Sequence, residues 1–134
     1  MEILEMLIED YLEEQRIAAQ LKEHAKELRY DFLRKRLEKI AEEDLAHAKF
    51  LEEKIKQYGG SLPAAPAVVQ GEGYLRDKLS RDLLDKQILM AHYIEAANRL
   101  LDEDETLGKA FRQMAATEKE HESMLMEVLM RINV

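Results

Sequence analysis

A chain of 134 residues is long enough for one sizeable core and too short for two independent ones, and a composition of 46% hydrophobic and 36% charged residues with only five Gly and two Pro excludes a sheet or disordered protein in favour of long helices. The formal charge of −8, from 28 acidic against 20 basic residues, excludes the electrostatic footprint of a phosphate-backbone binder, so no nucleic acid is expected as a partner. With no Cys there is no disulfide framework, no Cys-ligated zinc or iron–sulfur centre and no thiol nucleophile, so any metal must be held by oxygen and nitrogen.

No apolar stretch approaches the roughly 18 to 20 residues that span a bilayer, and the amino terminus lacks the basic n-region and cleavage site of a signal peptide. The expectation is a cytoplasmic protein with no membrane partner. Residues 1–134 read as a single all-α domain.

The first predicted helix covers residues 2–26. Its core stripe is Leu4, Leu7, Tyr11, Glu14, Ala18, Leu21, Ala25 and Leu28, apolar except for a carboxylate at the middle. Tyr11 reads as core packing one turn before Glu14. His24 falls between stripe positions, flanked by Glu23 and Lys26, and reads as a surface residue.

After a weak break near 26–30, a second helix is expected over 29–58, with the stripe Leu33, Leu37, Ile40, Asp44, His47, Leu51 and Tyr58. The compact basic run Arg34-Lys35-Arg36 is flanked by carboxylates at helical spacing and reads as a solvated face.

Residues 59–73 hold both prolines and four of the five glycines, which makes them a connection. Fifteen residues extended at ~3.3 Å each reach about 50 Å, enough to run the length of a helix and start helix 3 beside the start of helix 2. The other two connections are too short for anything but antiparallel packing. The predicted architecture is therefore a four-helix bundle of two antiparallel hairpins joined by one long crossover, the ferritin-like connectivity.

Helix 3, over 73–101, has the least regular stripe: Leu75, Leu79, Asp82, Leu89, Tyr93, Ala96 and Leu100, with Asp85 and His92 close beside it. Asp82 and Asp85 compete for one role. His92 reads as a core histidine or a partner to a ligand. Helix 4, over 104–132, opens on Asp102-Glu103-Asp104-Glu105, an acidic start that favours a helix amino terminus. Its stripe is Leu107, Phe111, Met114, Glu118, His121, Leu125, Val128 and Ile132. Its four Met residues read as adaptable packing.

The stripes of helices 2 and 4 superimpose at a constant offset of 74 residues: Leu33 with Leu107, Leu37 with Phe111, Ile40 with Met114, Asp44 with Glu118, His47 with His121 and Leu51 with Leu125. One acid-x-x-His intrusion has a dull explanation, but the same intrusion at the same place in two stripes is an internal repeat. Acid and imidazole three apart on one helix face can address a single metal ion. Several ionised carboxylates converging in one layer would cost several kcal/mol each without a compensating positive charge, which two divalent ions would supply. Such a donor set suits iron or manganese, and zinc also fits.

With these motifs the whole chain resembles the ferritin-like di-iron carboxylate superfamily, and within it the short rubrerythrin and bacterioferritin-related proteins. The resemblance implies metal ligation by Glu14, Asp44, His47, Asp85, Glu118 and His121. Asp44-Leu45-Ala46-His47 and Glu118-Lys119-Glu120-His121 match the two Glu-x-x-His motifs, and Asp85, 33 residues before Glu118, matches the third-helix glutamate. It further implies two iron ions as cofactor, peroxide or dioxygen as co-substrate, ferroxidase or peroxidase chemistry, and a homodimer. Asp replaces Glu at 44 and on helix 3, which shortens each carboxylate by one methylene. Leu45 stands where a haem-ligating Met would be, so no haem is expected. The lack of Cys removes a rubredoxin-type module, and the end at Val134 leaves no fifth helix for a cage. The rival reading is a degenerate bundle, non-enzymatic, that buffers metal or binds none and acts through its surface.

Overall fold

The computed structural model describes residues 2–67 and 71–132. Residues 68–70 of the expected crossover, and Met1, Asn133 and Val134 of the expected domain, lie outside the described residues. Four helices follow in order: α1 (Ile3–Lys26), α2 (Asp31–Gln57), α3 (Leu75–Leu100) and α4 (Glu105–Ile132). The all-α class is as expected, and each helix bound falls within two residues of its sequence-based position.

The chain divides into two compact units, Met1–Glu72 and Gly73–Val134. Each is one helical hairpin, with α1 packed on α2 in the first and α3 on α4 in the second.

In the first unit, α1 ends where its last carbonyls find partners nearby. The amides of Glu27 and Leu28 donate to His24 and Ala25 carbonyls at 3.1 Å, and Arg34 Nη2 caps the Leu28 carbonyl at 3.1 Å from the start of α2. Leu28 is buried under this turn, so the return into α2 is held by one apolar contact and one guanidinium. The large apolar side chains that are fully buried include Leu7, Ile17 and Leu21 of α1 with Leu33, Leu37, Ile40, Leu51 and Ile55 of α2. Burying each such side chain contributes about 1.5–3 kcal/mol, which far exceeds the intrinsic helix propensities of these residues. The basic run faces solvent as expected: Lys35 is exposed, and both it and Arg34 reach back to Asp31 at 3.1 and 3.3 Å.

The end of α2 is fixed by backbone geometry. Gly59 has φ of 81°, in the left-handed region; its amide donates to the Lys56 carbonyl at 3.0 Å, and the Gly60 amide donates to the Ile55 carbonyl at 2.9 Å. These two bonds make a Schellman motif, which a residue with a Cβ would strain.

In the second unit, the α3–α4 turn delivers Asp104 as a helix cap: its Oδ1 accepts from the Leu107 amide at 3.0 Å. One turn on, Gly108 lets the two helices close in, since a Cβ there would sit 3.2 Å from the Ala97 carbonyl oxygen. The core behind it includes Leu79, Tyr93, Leu107, Phe111, Leu125 and Val128, with the Tyr93 and Phe111 rings 5.3 Å apart and tilted by 56°. Among the described residues no helix is long and apolar enough to cross a membrane.

Candidate metal centre

In the first hairpin, α1 presents Glu14 and α2 presents Asp44 and His47, one turn apart on the same face. Glu14 and Asp44 are fully buried, and the His47 side chain is 14% exposed. His47 Nδ1 lies 2.7 Å from Glu14 Oε2, a hydrogen bond between helices that fixes the orientation of the ring. Each of the three residues offers a ligand atom, and these atoms lie within 4.8 Å of one another. Two carboxylates and an imidazole within mutual reach, largely shielded from water, form an oxygen and nitrogen donor set that could hold a metal ion. Asp10, one turn before Glu14, is also buried.

In the second hairpin the acid-x-x-His pair is again inside. Glu118 and His121 are fully buried, with His121 Nδ1 3.7 Å from Glu118 Oε2. The group that meets them from α3 is a cation. Lys86 Nζ lies 2.9 Å from Glu118 Oε2, and its side chain is also fully buried.

Of the two candidate aspartates on α3, Asp82 is fully buried and Asp85 is at intermediate exposure, so Asp82 and Lys86 share the inward face with Leu79, Leu89 and Tyr93. His92 is likewise intermediate, with its ring 6.2 Å from that of Tyr93. Tyr11 is buried, as core packing requires.

No protein-family model and no curated protein matches the chain. Its functional reading therefore rests on the residues themselves.

Four buried polar residues, Asp10, His24, Lys86 and Glu122, escaped the sequence reading. His24 was expected on the surface, yet it is only 8% exposed. The buried face of α1 includes Ile17, Ala18, Leu21, His24, Ala25 and Leu28, a band wider than a stripe alternating three and four residues, and His24 is on its flank. Lys86 fills the seven-residue gap that the helix 3 stripe leaves between Asp82 and Leu89. Continuing the three-four alternation through that gap points to position 86 directly.

The buried positions of α1 and α3 correspond at a constant offset of 72 residues: Leu7 with Leu79, Asp10 with Asp82, Glu14 with Lys86, Ile17 with Leu89, Leu21 with Tyr93, Ala25 with Ala97 and Leu28 with Leu100. Together with the 74-residue offset of α2 and α4, this makes the second hairpin a counterpart of the first along both helices. Glu14 has Lys86 as its counterpart, a reversal of charge at the middle of the polar set.

On the rim of the second hairpin, Glu122 accepts a 2.8 Å hydrogen bond from Lys119 Nζ. Hydrogen bonds from Lys119 and from Gln87 hold its carboxyl below the ordinary glutamate range.

Proposed function

We propose that this chain is a metal-binding carboxylate protein, with Glu14, Asp44 and His47 as the ligands of a redox-active ion, and that it reacts Fe(II) with peroxide or dioxygen in the manner of a ferroxidase or peroxidase. The observation that carries this reading is the burial of Glu14 and Asp44 with their oxygens within 4.8 Å of an imidazole nitrogen. Two buried carboxylates so close together repel each other and are poorly solvated, so a cation between them offsets a cost of several kcal/mol per charge.

Iron held by Glu14, Asp44 and His47 would supply one electron to peroxide or dioxygen for each Fe(II) oxidised to Fe(III), so that two such oxidations would reduce one peroxide to water. The chain's own residues supply the surroundings. Glu14 and Asp44 neutralise the ion's charge from two different helices, and the ring of His47 is oriented by its contact with Glu14. The neighbouring Ile17, Leu37, Ile40 and Leu51 are fully buried and limit the access of water. The ferritin-like relationship, with Glu118 and His121 as the counterparts of Asp44 and His47, belongs to the same proposal and rests on the 74-residue repeat.

Metal analysis of protein purified without chelator, followed by anaerobic Fe(II) titration and then peroxide addition, tests the reading. Saturable binding that is lost in Glu14→Gln, Asp44→Asn and His47→Ala, with Fe(III) absorption developing on oxidation, is the expected result. Binding that is absent in the wild type, or unchanged in His47→Ala, sinks it.

The second reading, a metal-free bundle acting through its surface, has a specific observation in its favour. The Lys86–Glu118 pair balances a buried carboxylate with no metal at all.

A further inference from the structure

The metal-binding reading, on which this inference rests, is carried by the first hairpin; the second repeats the acid-x-x-His motif, yet its polar set is chemically unlike. In the first hairpin the carboxylate at position 14 meets an aspartate and a histidine. At the counterpart position the second hairpin has Lys86, whose ammonium is 2.9 Å from Glu118 Oε2 in full burial.

We propose that Lys86 is a built-in cation that takes the place of a second metal ion, so that the chain holds one ion, at Glu14, Asp44 and His47, where a duplicated set of acids would hold two. An ammonium 2.9 Å from a buried carboxylate oxygen offsets its charge. Oxygen Oε2 of Glu118 therefore already has a cation beside it. A divalent ion placed there would have to displace a buried ammonium or lie beside it, and like charges a few ångströms apart in a low-dielectric interior repel strongly. A buried charge is retained only when it is paired, and Lys86 is paired with the carboxylate of the second acid-x-x-His motif.

The internal duplication identifies the residue that decides the number of ions. Glu at position 86 would give α3–α4 the same acid, acid and histidine set that α1–α2 has at 14, 44 and 47. Gln there would remove the charge while keeping most of the volume.

The test is metal stoichiometry, which is independent of turnover. Wild-type protein, Lys86→Glu and Lys86→Gln are titrated anaerobically with Fe(II), and in parallel with Mn(II), with bound metal counted after desalting. The wild type is expected to saturate at about one ion per chain, and Lys86→Glu at about twice that, the di-metal complement of bundles with two full ligand sets. If Lys86→Glu does not fold, the extra ion in Lys86→Gln carries the same conclusion. A wild type that saturates at two ions overturns the role of Lys86 while leaving the metal-binding reading intact. A wild type that binds one and keeps that count in every variant that folds also overturns it. A wild type that binds none defeats the metal-binding reading itself.

Discussion

The ammonium of Lys86 lies 2.9 Å from Glu118 Oε2 with both side chains wholly out of solvent, so each is the other's counter-charge. Removing one partner of such a pair leaves an uncompensated buried charge and costs about 3–5 kcal/mol, whereas replacing both by apolar groups of similar size is often neutral or stabilising. Lys86→Met is therefore expected to lower unfolding free energy by about that amount, and Lys86→Met with Glu118→Leu to recover most of it. Urea denaturation of the two single variants and the double variant at neutral pH measures the cycle. A loss in the double variant equal to the sum of the two single losses would show that the pair is not coupled.

The first hairpin makes the opposite prediction. Its buried Glu14 and Asp44 gain a counter-charge when an ion binds, so metal stabilises the folded state by mass action, by about 2.7 kcal/mol at a hundredfold excess over Kd. Mn(II) is expected to raise Tm in the wild type, chelator to reverse the rise, and His47→Ala to abolish it. Thermal unfolding monitored by circular dichroism, with and without Mn(II), reads the difference.

Asp104 caps α4 through the Leu107 amide, and Asp104→Ala leaves that donor without its side-chain acceptor. The expected cost is about 1 kcal/mol. At the other helix end, Gly59→Ala forces a Cβ into a backbone with φ of 81° and costs a similar amount, about 1–2 kcal/mol. Neither variant should alter metal stoichiometry, which makes both useful controls when measured by urea denaturation beside the ligand variants.

Glu122 links the second hairpin to pH. Its carboxyl is held below the ordinary glutamate range, chiefly by hydrogen bonds from Lys119 and Gln87, so the folded state favours the ionised form. The stabilisation it gives is present above the unfolded pKa and is lost as pH falls through the lower folded pKa. Glu122→Gln should thus be less stable than the wild type at pH 7, with the gap closing at pH values below the folded pKa. Denaturation curves of both proteins from pH 7 downwards follow it; a gap that persists or widens in acid would reject the assignment.

The helices were legible in the sequence because a stripe of Leu, Ile and Val at spacings of three and four has only one packed solution, and because 59–73 concentrates the residues that helices reject. The same periodicity put Asp44, Glu118 and His121 inside, and all three are fully buried. What it missed were polar residues that do not announce themselves as core. Lys86 is a strong helix former usually found in water, so its residue type argued against burial even though the gap in the helix 3 stripe falls on it; its partner is 32 residues away on another helix. Position 85 was favoured by its distance from Glu118, but the helical phase that buries Leu79, Leu89 and Tyr93 turns Asp82 and Lys86 inward and leaves Asp85 at the margin. His24 was missed for a related reason, since the buried band of α1 is broader than a narrow seam.

The charge reversal between positions 14 and 86 also means that the two halves are not interchangeable parts. A chain assembled from two copies of the first half would carry two clusters of acids, each dependent on an outside cation for its stability. A chain assembled from two copies of the second half would carry a lysine opposite each acid-x-x-His motif and could fold without one. The natural chain combines one half of each kind, so on the proposed reading only its first hairpin calls for an outside cation.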